Sequence, residues 1–237
     1  MASIDVTMRA VRPAEGFYTS EVETPRAWPL RTFLPCGYEP NYPYPLLVFL
    51  HGNGGSEEQI LRLAPRLSRR NYICIGLRGP IPGPMRCEGP TTYSWGNDSL
   101  TNTLVEEYVF RAVEQTRRHF HVHSERIYLA GFCEGATLAY NLGLMFPDRF
   151  AGIISMNGCM ARHGGPLLRL PDIRKLQVLI GHGIANAIVP QRYARDDQRL
   201  LYTAGLSVKM HSYATNHRLH PEMLRDIDRW IMRQICD

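Results

Sequence analysis

Apolar residues recur along the chain in short continuous runs, and longer stretches with apolar residues on one face lie between them. The runs predict strands at 46–50, 72–77, 126–130, 153–156, 177–180 and 207–210. Apolar positions at helical spacing predict helices at 57–69, which Pro65 interrupts, and at 100–120, 136–145 and 221–235. Strands that alternate with helices in this way predict a mainly parallel, twisted sheet with helices on both faces.

The stretch 78–99 departs from this alternation, because it is rich in proline and glycine and includes Tyr93 and Trp95. It follows a predicted strand, so we expect a long active-site loop at the carboxyl edge of the sheet, where α/β proteins bind ligands. Tyr93 and Trp95 are predicted to line the substrate pocket, with packing over the sheet as the alternative. Residues 1–45 are interpreted as N-terminal edge strands of a single domain that comprises residues 1–237.

The composition is that of a soluble globular protein, with 44% hydrophobic and 21% charged residues. The formal net charge is +5, and lysine occurs only at Lys175 and Lys209, so arginine supplies most of the positive charge. The arginines are scattered along the chain and form no stripe, which predicts no nucleic-acid partner. No stretch of about 20 apolar residues is present, which predicts no integral membrane segment.

Cysteine usage and the N-terminus bear on the location of the protein. The six cysteines form no CxxC pair and no zinc-ligand spacing. Several of them lie in apolar or glycine-rich runs, which is typical of reduced, mostly buried thiols. Residues 1–20 lack the apolar core of a secretory signal. We therefore expect a cytoplasmic protein.

The segment 131–135, GFCEG, has the form of the nucleophile elbow G-x-S-x-G, with Cys133 in the serine position. A predicted strand precedes it and a predicted helix follows it, as a sharp turn that exposes a nucleophile requires. The sulfur would then lie at a helix N-terminus, where the helix dipole is expected to lower its pKa. The alternative is a buried structural cysteine in a tight turn.

A glycine-rich turn at 51–55, HGNGG, follows the first strong strand. Glycines at this point let backbone N–H groups approach the oxyanion of a tetrahedral intermediate. The predicted oxyanion hole consists of the backbone N–H groups of Asn53 and Glu134. His51 is interpreted as a structural hydrogen-bonding residue and not as a base, because it lies on the oxyanion side of the site.

From about Leu46 to the C-terminus, these motifs resemble the carboxylesterase/phospholipase group of α/β-hydrolases, which includes acyl-protein thioesterases. In that family a strand ends in H-G-x-x-D-x-x-V-P, and the aspartate is the acid of the triad. Residues 182–190 match this motif, with Asn186 in the acid position. One strand later, His217 matches the triad histidine. The resemblance therefore implies the α/β-hydrolase fold and a triad of Cys133, Asn186 and His217, in the order typical of that fold.

Other histidines are weaker candidates for the base. His220 directly precedes Pro221, which is predicted to begin the last helix, so its side chain is expected to cap that helix. His119, His121 and His123 alternate like metal ligands, but they fall at a helix-to-strand connection without a matching carboxylate motif. A solvated loop is the better interpretation of these three residues. No metal and no cofactor is implied.

Cysteine and asparagine form a coherent pair in this site. A thiol, with a reference pKa of about 8.5, needs less help from a base than a hydroxyl does. If Cys133 and His217 form a thiolate–imidazolium pair, the third group need only orient the ring, as the amide does in the Cys-His-Asn triad of papain-like proteases. Dienelactone hydrolases resemble this chain in length and in a G-x-C-x-G elbow, but they retain an aspartate, from which Asn186 departs.

The predicted function is hydrolysis of a small-molecule carboxylic ester or thioester through an acyl-cysteine intermediate. Cys133 attacks the carbonyl carbon, and the N–H groups of Asn53 and Glu134 hold the oxyanion. His217 moves the proton while Asn186 orients its ring. Three alternatives stay open: a lyase or acyltransferase at the same site, a serine esterase altered at its nucleophile and acid positions, and a binding protein with a lapsed triad. The oligomeric state is also open, a homodimer included.

Overall fold

The computed structural model describes residues 14–22, 28–84, 91–96, 99–161 and 175–236. The strands are β1 (Gly16–Val22), β2 (Trp28–Leu34), β3 (Tyr44–Leu50), β4 (Ile73–Leu77), β5 (Ile81–Pro82), β6 (Tyr93–Ser94), β7 (Val122–Phe132), β8 (Gly152–Met156), β9 (Gln177–Gly183) and β10 (Ser207–Tyr213). The helices are α1 (Glu57–Leu61), α2 (Ala64–Leu67), α3 (Ser99–His119), α4 (Glu134–Met145), α5 (Gln191–Thr203) and α6 (Pro221–Cys236). Each strand and helix predicted from the hydrophobic pattern is present, with ends that differ by a few residues.

Eight of the strands form one sheet in the order β1-β2-β4-β3-β7-β8-β9-β10. Neighbours from β4 to β10 run parallel, whereas β1 and β2 form an antiparallel pair at one edge. All seven residues of β3 are buried, as is expected of a central strand that is covered on both faces. The sheet thus has the mainly parallel arrangement that the hydrophobic pattern predicts.

Helices cover both faces of the sheet and form an apolar core with each. One core lies under α3, α4 and α5, and the other lies under α1, α2 and α6. In the part of the chain that the structure describes, no helix is long and apolar enough to cross a membrane. The arrangement is the single-domain α/β-hydrolase fold, and the predicted fold class is confirmed.

Two parts of the fold go beyond the prediction. Helix α5 was not predicted, because it contains few apolar residues: its buried positions are Ala194, Asp197 and Leu201, and one of them is charged. Within the predicted active-site loop, β5 and β6 pair antiparallel as a small second sheet. Residues 85–90, 97 and 98 of that loop lie outside the described residues.

The cysteines are less buried than expected. The five that the structure describes are all free thiols, and of these Cys74 is buried. Cys36 and Cys236 are exposed, because one lies in a turn just after β2 and the other is the last residue of α6. The expectation of burial is wrong for these two residues. Cys87 lies outside the described residues.

Candidate active site

Cys133 occupies a strained turn between β7 and α4. Its backbone angles are φ 54° and ψ −116°, and a positive φ occurs at one other non-glycine residue in the described chain. A Cβ at Gly131 would lie 2.1 Å from the carbonyl oxygen of Gly135, and a Cβ at Gly135 would lie 2.2 Å from that of Leu50, so both positions require glycine. The turn presents the thiol at the carboxyl end of the sheet, as a nucleophile elbow does.

The turn 51–55 brings a second backbone donor to the same sulfur. The backbone N–H groups of Asn53 and Glu134 both face the Cys133 side chain, where each lowers the pKa of the thiol. Gly52 packs directly against the nucleophile, since a Cβ there would lie 2.9 Å from Cys133 Cβ. An oxyanion that forms when the sulfur attacks a carbonyl group develops beside that sulfur. The two N–H groups therefore have the position expected of an oxyanion hole.

His51 is buried and holds this turn in place. Its Nε2 accepts a hydrogen bond from the Gly79 N–H group (2.8 Å). The ring proton therefore resides on Nδ1, which donates to the carbonyl oxygen of Gly52 (2.8 Å). Burial lowers the pKa of His51 and keeps the ring neutral. The interpretation of His51 as a structural hydrogen-bonding residue is confirmed.

The segment that carries Tyr93 and Trp95 packs against the oxyanion turn. Trp95 is 2% exposed, and its Nε1–H group donates to the carbonyl oxygen of His51 (2.8 Å). The carbonyl oxygen of Tyr93 accepts from Gly54 N–H (2.9 Å), and Tyr93 N–H donates to Gly55 O (2.8 Å). The prediction that Trp95 lines the substrate pocket is therefore corrected to the packing alternative, because its buried indole supports the oxyanion turn. That Tyr93 lines the pocket stays a prediction.

Glu134 joins the nucleophile elbow to the same segment. Its carboxylate accepts hydrogen bonds from Ser94 Oγ (2.8 Å) and from the Trp95 N–H group (3.3 Å). The residue whose N–H group faces the Cys133 sulfur therefore also places a negative charge next to that sulfur.

Asn186 and His217 form a hydrogen-bonded pair that spans two loops. Asn186 follows β9 and is buried, and His217 follows β10. The Oδ1 atom of Asn186 lies 3.0 Å from His217 Nδ1 and also accepts from the N–H groups of Ile188 (3.1 Å) and Val189 (3.0 Å). Because Oδ1 can only accept, His217 carries its proton on Nδ1, and Nε2 is the basic atom. The ring packs against Phe132 with ring centroids 5.0 Å apart.

Asn157 and His182 extend this network, and neither was selected from the sequence. Asn157 Oδ1 accepts from Gly183 N–H (2.8 Å), and its Nδ2 donates to the carbonyl oxygen of Arg218 (2.8 Å). His182 Nε2 donates to the carbonyl oxygen of Val189 (2.8 Å). His182 begins the matched H-G-x-x-D-x-x-V-P motif, which was a usable signal. Asn157 lies in no motif, so the sequence contained no signal that could have selected it.

At neutral pH the site does not favour the expected thiolate–imidazolium pair. Burial raises the pKa of the Cys133 thiol, and the N–H groups of Glu134 and Asn53 offset this only in part. Burial, together with His182, lowers the pKa of His217. The expectation that the helix dipole acidifies the sulfur is therefore wrong, because desolvation of a half-buried thiol outweighs the donors at the helix N-terminus. Both reacting groups are neutral in the resting site.

A cleft of about 260 Å³ opens beside the oxyanion turn. Its walls are the turn 51–55 and the side chains of Gln59, Ile60, Leu63, Phe132 and Leu219. Two of these residues are close in sequence to the candidate site, since Phe132 directly precedes Cys133 and Leu219 follows His217 by two residues. A larger, more polar depression of about 700 Å³ lies at the opposite end of the sheet, at the starts of β7 and β9. It has no part in this site.

The other histidines considered as base or metal ligand have structural partners. His220 Nδ1 accepts from the Glu222 N–H group (3.2 Å) in the first turn of α6, which confirms its predicted capping role. His119 and His121 contact backbone carbonyl oxygens, at 2.8 Å and 3.1 Å respectively. Over the described residues, no group of three His, Cys, Asp or Glu side chains is arranged to hold a metal ion.

Comparison with known protein families agrees with this geometry. A family model described as Phospholipase/Carboxylesterase matches residues 39–235, which is most of the chain. The chain belongs to the phospholipase/carboxylesterase family. Membership places it among hydrolases of the carboxylesterase and thioesterase type.

Individual relatives are distant but cover most of the chain. Acyl-protein thioesterase 1 of Mycosarcoma maydis is 24% identical over 223 residues, which span 81% of this chain and 92% of that protein. The carboxylesterase from Mesorhizobium loti has a TM-score of 0.71 at 19% identity and covers 86% of this chain and 94% of its own. The Bacillus cereus carboxylesterase has a TM-score of 0.66 at 19% identity with the same coverage of both chains. At these identities the two solved structures show the shared fold.

Proposed function

We propose that the protein hydrolyses carboxylic esters or thioesters through an acyl-cysteine intermediate on Cys133. The observation that carries the proposal is the convergence of the Asn53 and Glu134 N–H groups on the Cys133 sulfur. Beside them, Asn186 sets the tautomer of His217. A nucleophile, a base with its lone pair on Nε2 and two oxyanion donors are the groups that acyl transfer requires.

The resting protonation states give the order of proton movements. In acylation, the Cys133 sulfur attacks the carbonyl carbon while its proton passes to Nε2 of His217. The two backbone N–H groups hold the oxyanion, and the leaving alcohol or thiol takes the proton from His217 as its bond to carbon breaks. In deacylation, His217 removes a proton from water as the water oxygen attacks the acyl carbon. The sulfur then leaves and regains that proton, and a carboxylic acid is released.

A neutral amide at position 186 is compatible with this cycle because the nucleophile is a thiol. Asn186 orients His217 but carries no charge to stabilise the protonated ring. For a serine nucleophile, the same replacement of aspartate by asparagine costs about 10⁴ in kcat. A thiol is far more acidic than a hydroxyl, so the proton transfer demands a weaker base. We therefore infer that Cys133 and Asn186 function as a unit.

The cleft beside the oxyanion turn suggests the kind of substrate. Ile60, Leu63, Phe132 and Leu219 give it an apolar lining, and its volume is about 260 Å³. Pockets for drug-sized ligands range from about 300 to 1,000 Å³. We therefore expect the substrate to place a compact apolar acyl or alcohol group in this cleft, with the carbonyl group between Cys133 and the two N–H donors.

Hydrolysis of p-nitrophenyl acetate and butyrate, followed together with the intact mass of the protein, tests the proposal. We expect turnover and a transient mass increase of one acyl group, which peptide mapping places on Cys133. Cys133→Ala should abolish both signals, whereas Cys159→Ala, a matched change at another half-buried free thiol, should retain them. Hydrolysis by Cys133→Ala at the wild-type rate would refute the proposal. Product analysis with and without an added amine acceptor separates hydrolysis from acyl transfer.

A further inference from the structure

Asn157 is a buried residue in an unusual backbone conformation next to the candidate site. It follows β8 directly, has no exposed surface, and has φ 53°. Cys133 is the one other non-glycine residue with positive φ in the described parts of the chain. Left-handed backbone at a non-glycine residue costs free energy and persists where surrounding contacts hold it. Both residues that bear this cost therefore lie at the same site.

The side chain of Asn157 joins the two loops that carry the base half of the site. Its Oδ1 accepts from the N–H group of Gly183, which begins the loop to Asn186 (2.8 Å). Its Nδ2 donates to the carbonyl oxygen of Arg218, the residue after His217 (2.8 Å). A third contact is direct, because Asn186 Nδ2 lies 3.5 Å from the same Oδ1 atom. One amide thus bonds on both sides of the His217–Asn186 pair.

The backbone around Asn157 extends this connection to the nucleophile. The Asn157 N–H group donates to the carbonyl oxygen of Gly181 in β9 (2.8 Å), and the preceding residue, Met156, accepts from Cys133 N–H (3.0 Å). The end of β8 is therefore hydrogen-bonded to the turns that carry the nucleophile, the amide and the base.

The bonding pattern needs an amide of this size. An aspartate would keep the acceptor for Gly183 but would present an oxygen to the carbonyl oxygen of Arg218, and two acceptors repel each other. A leucine or glycine would leave a buried N–H group and a buried carbonyl group without their partner. Asn157 does not line the cleft beside the oxyanion turn, so its effect on the reaction passes through His217 and Asn186.

We propose that Asn157 is a positioning residue that holds the His217 and Asn186 loops at the separation required for their 3.0 Å hydrogen bond. The inference rests on the proposed function for its kinetic consequence, but the geometry of His217 can be measured without turnover. A displacement of about 1 Å in a catalytic group can lower a rate by about 100-fold. The expected effect is therefore on kcat, with little change in KM.

The test compares Asn157→Asp and Asn157→Gly with the wild-type protein. Glycine tolerates the positive φ at this position, and aspartate has nearly the same side-chain size as asparagine. The two variants therefore preserve different properties of residue 157, the backbone conformation in one and the side-chain volume in the other. We expect kcat to fall by roughly 10- to 100-fold in both, while KM for p-nitrophenyl butyrate stays within about twofold because the cleft is untouched. Asn71→Ala is the matched control, since its Nδ2 bonds to Asp228 far from the site (3.3 Å), and it should retain wild-type kcat.

The NMR signal of the His217 Nδ1–H group provides a readout that does not depend on activity. The signal is assigned by its loss in His217→Gln and is expected to be slow to exchange with water in the wild type, because the proton is bonded to Asn186. It should exchange faster in both Asn157 variants but not in Asn71→Ala, at a temperature where thermal unfolding shows all of them folded. An unchanged signal and unchanged kcat in the folded variants would overturn the inference. A protected signal in a wild-type protein without Cys133-dependent turnover would instead overturn the proposed function alone.

Discussion

The two halves of the candidate site are built from different groups. The nucleophile half consists of backbone, namely the turn at Cys133, the glycine-rich turn 51–55 and the N–H groups that meet at the sulfur. The base half consists of side chains, namely the ring of His217 and the amides of Asn186 and Asn157. In the first half, steric contacts that leave no room for an added atom hold the turn at Cys133, and side-chain hydrogen bonds of His51 and Trp95 support the turn 51–55. In the second half, hydrogen bonds of side chains hold the loops together, and substitution can alter them.

The difference follows from the positions of the strands. The nucleophile half lies where β3 and β7, two neighbouring central strands, end side by side. The base half draws on β8, β9 and β10 towards one edge of the sheet. The hydrogen bonds that join its loops, from Asn157 to Gly183 and Arg218 and from His217 to Asn186, connect residues 26 to 61 positions apart in sequence. We therefore expect changes in the nucleophile half to affect folding first, and changes in the base half to affect rate and pH dependence.

The largest effect should come from a single added methyl group in the nucleophile half. In Gly131→Ala the new Cβ would lie 2.1 Å from the carbonyl oxygen of Gly135, and backbone must move to admit it. We expect a loss of about 4 kcal/mol or more in the free energy of unfolding, measured by urea denaturation. Gly37→Ala is the control without a clash, because no atom lies within 4 Å of the added Cβ. Gly37 has a positive φ, which Gly131 does not, so this variant should lose only the backbone cost of about 1–2 kcal/mol. Equal losses in the two variants would show that sterics do not hold this turn.

The next largest effect should come from exchange of the nucleophile alone. Cys133→Ser leaves a hydroxyl next to a base that only an amide supports, and we expect kcat to fall by about 10⁴. Adding Asn186→Asp to Cys133→Ser should recover a large part of this loss, since a carboxylate stabilises the protonated ring. Ester hydrolysis by the two single variants, the double variant and the wild type measures the coupling. Additive effects of the two substitutions would contradict the inference that Cys133 and Asn186 function as a unit.

The pH dependence of kcat/KM should differ between the wild type, which has an amide at position 186, and Asn186→Asp, which has a carboxylate there. His217 must be neutral to accept a proton, and its pKa is lowered, so activity should persist below its ordinary pKa of about 6.5 as the pH falls. In Asn186→Asp the negative charge raises the pKa of His217, and the acid limb of kcat/KM should move up by about one pH unit. An acid limb at the same pH in both proteins would mean that His217 is not the titrating base.

The smallest effect should come from the charge beside the sulfur. The thiol of Cys133 has a raised pKa because of burial and, to a lesser extent, because of the Glu134 carboxylate. Glu134→Gln keeps the side-chain shape and removes the charge, so the rate of Cys133 alkylation by iodoacetamide at pH 7 should rise roughly twofold to fivefold. Glu114→Gln, at an exposed position on α3 that pairs with Arg118, is the control and should leave the rate unchanged. A slower alkylation of Cys133 in Glu134→Gln than in the wild type would contradict the prediction that the Glu134 charge raises the pKa of the thiol.

Most of the fold could be predicted from the sequence because most strands and helices have a local hydrophobic signal, which is a continuous apolar run for a strand and helical spacing for a helix. Helix α5 could not, because Asp197 occupies one of its few buried positions. Trp95 illustrates a second limit, since an aromatic residue in a loop has the same sequence signal whether it lines a cleft or supports its wall. Only the hydrogen bond from the Trp95 indole to the carbonyl oxygen of His51 distinguishes the two.

Sequence alone determined the family and the turns of the candidate nucleophile half, because the glycines around Cys133 and in the turn 51–55 are local steric requirements. It also selected His217 and Asn186, through motifs whose order along the chain is typical of the fold. Only the tertiary structure decided the protonation of the pair and the part played by Asn157. The pKa of a thiol depends on how far burial removes it from water, and the partners of Asn157 meet only when β8, β9 and β10 lie side by side.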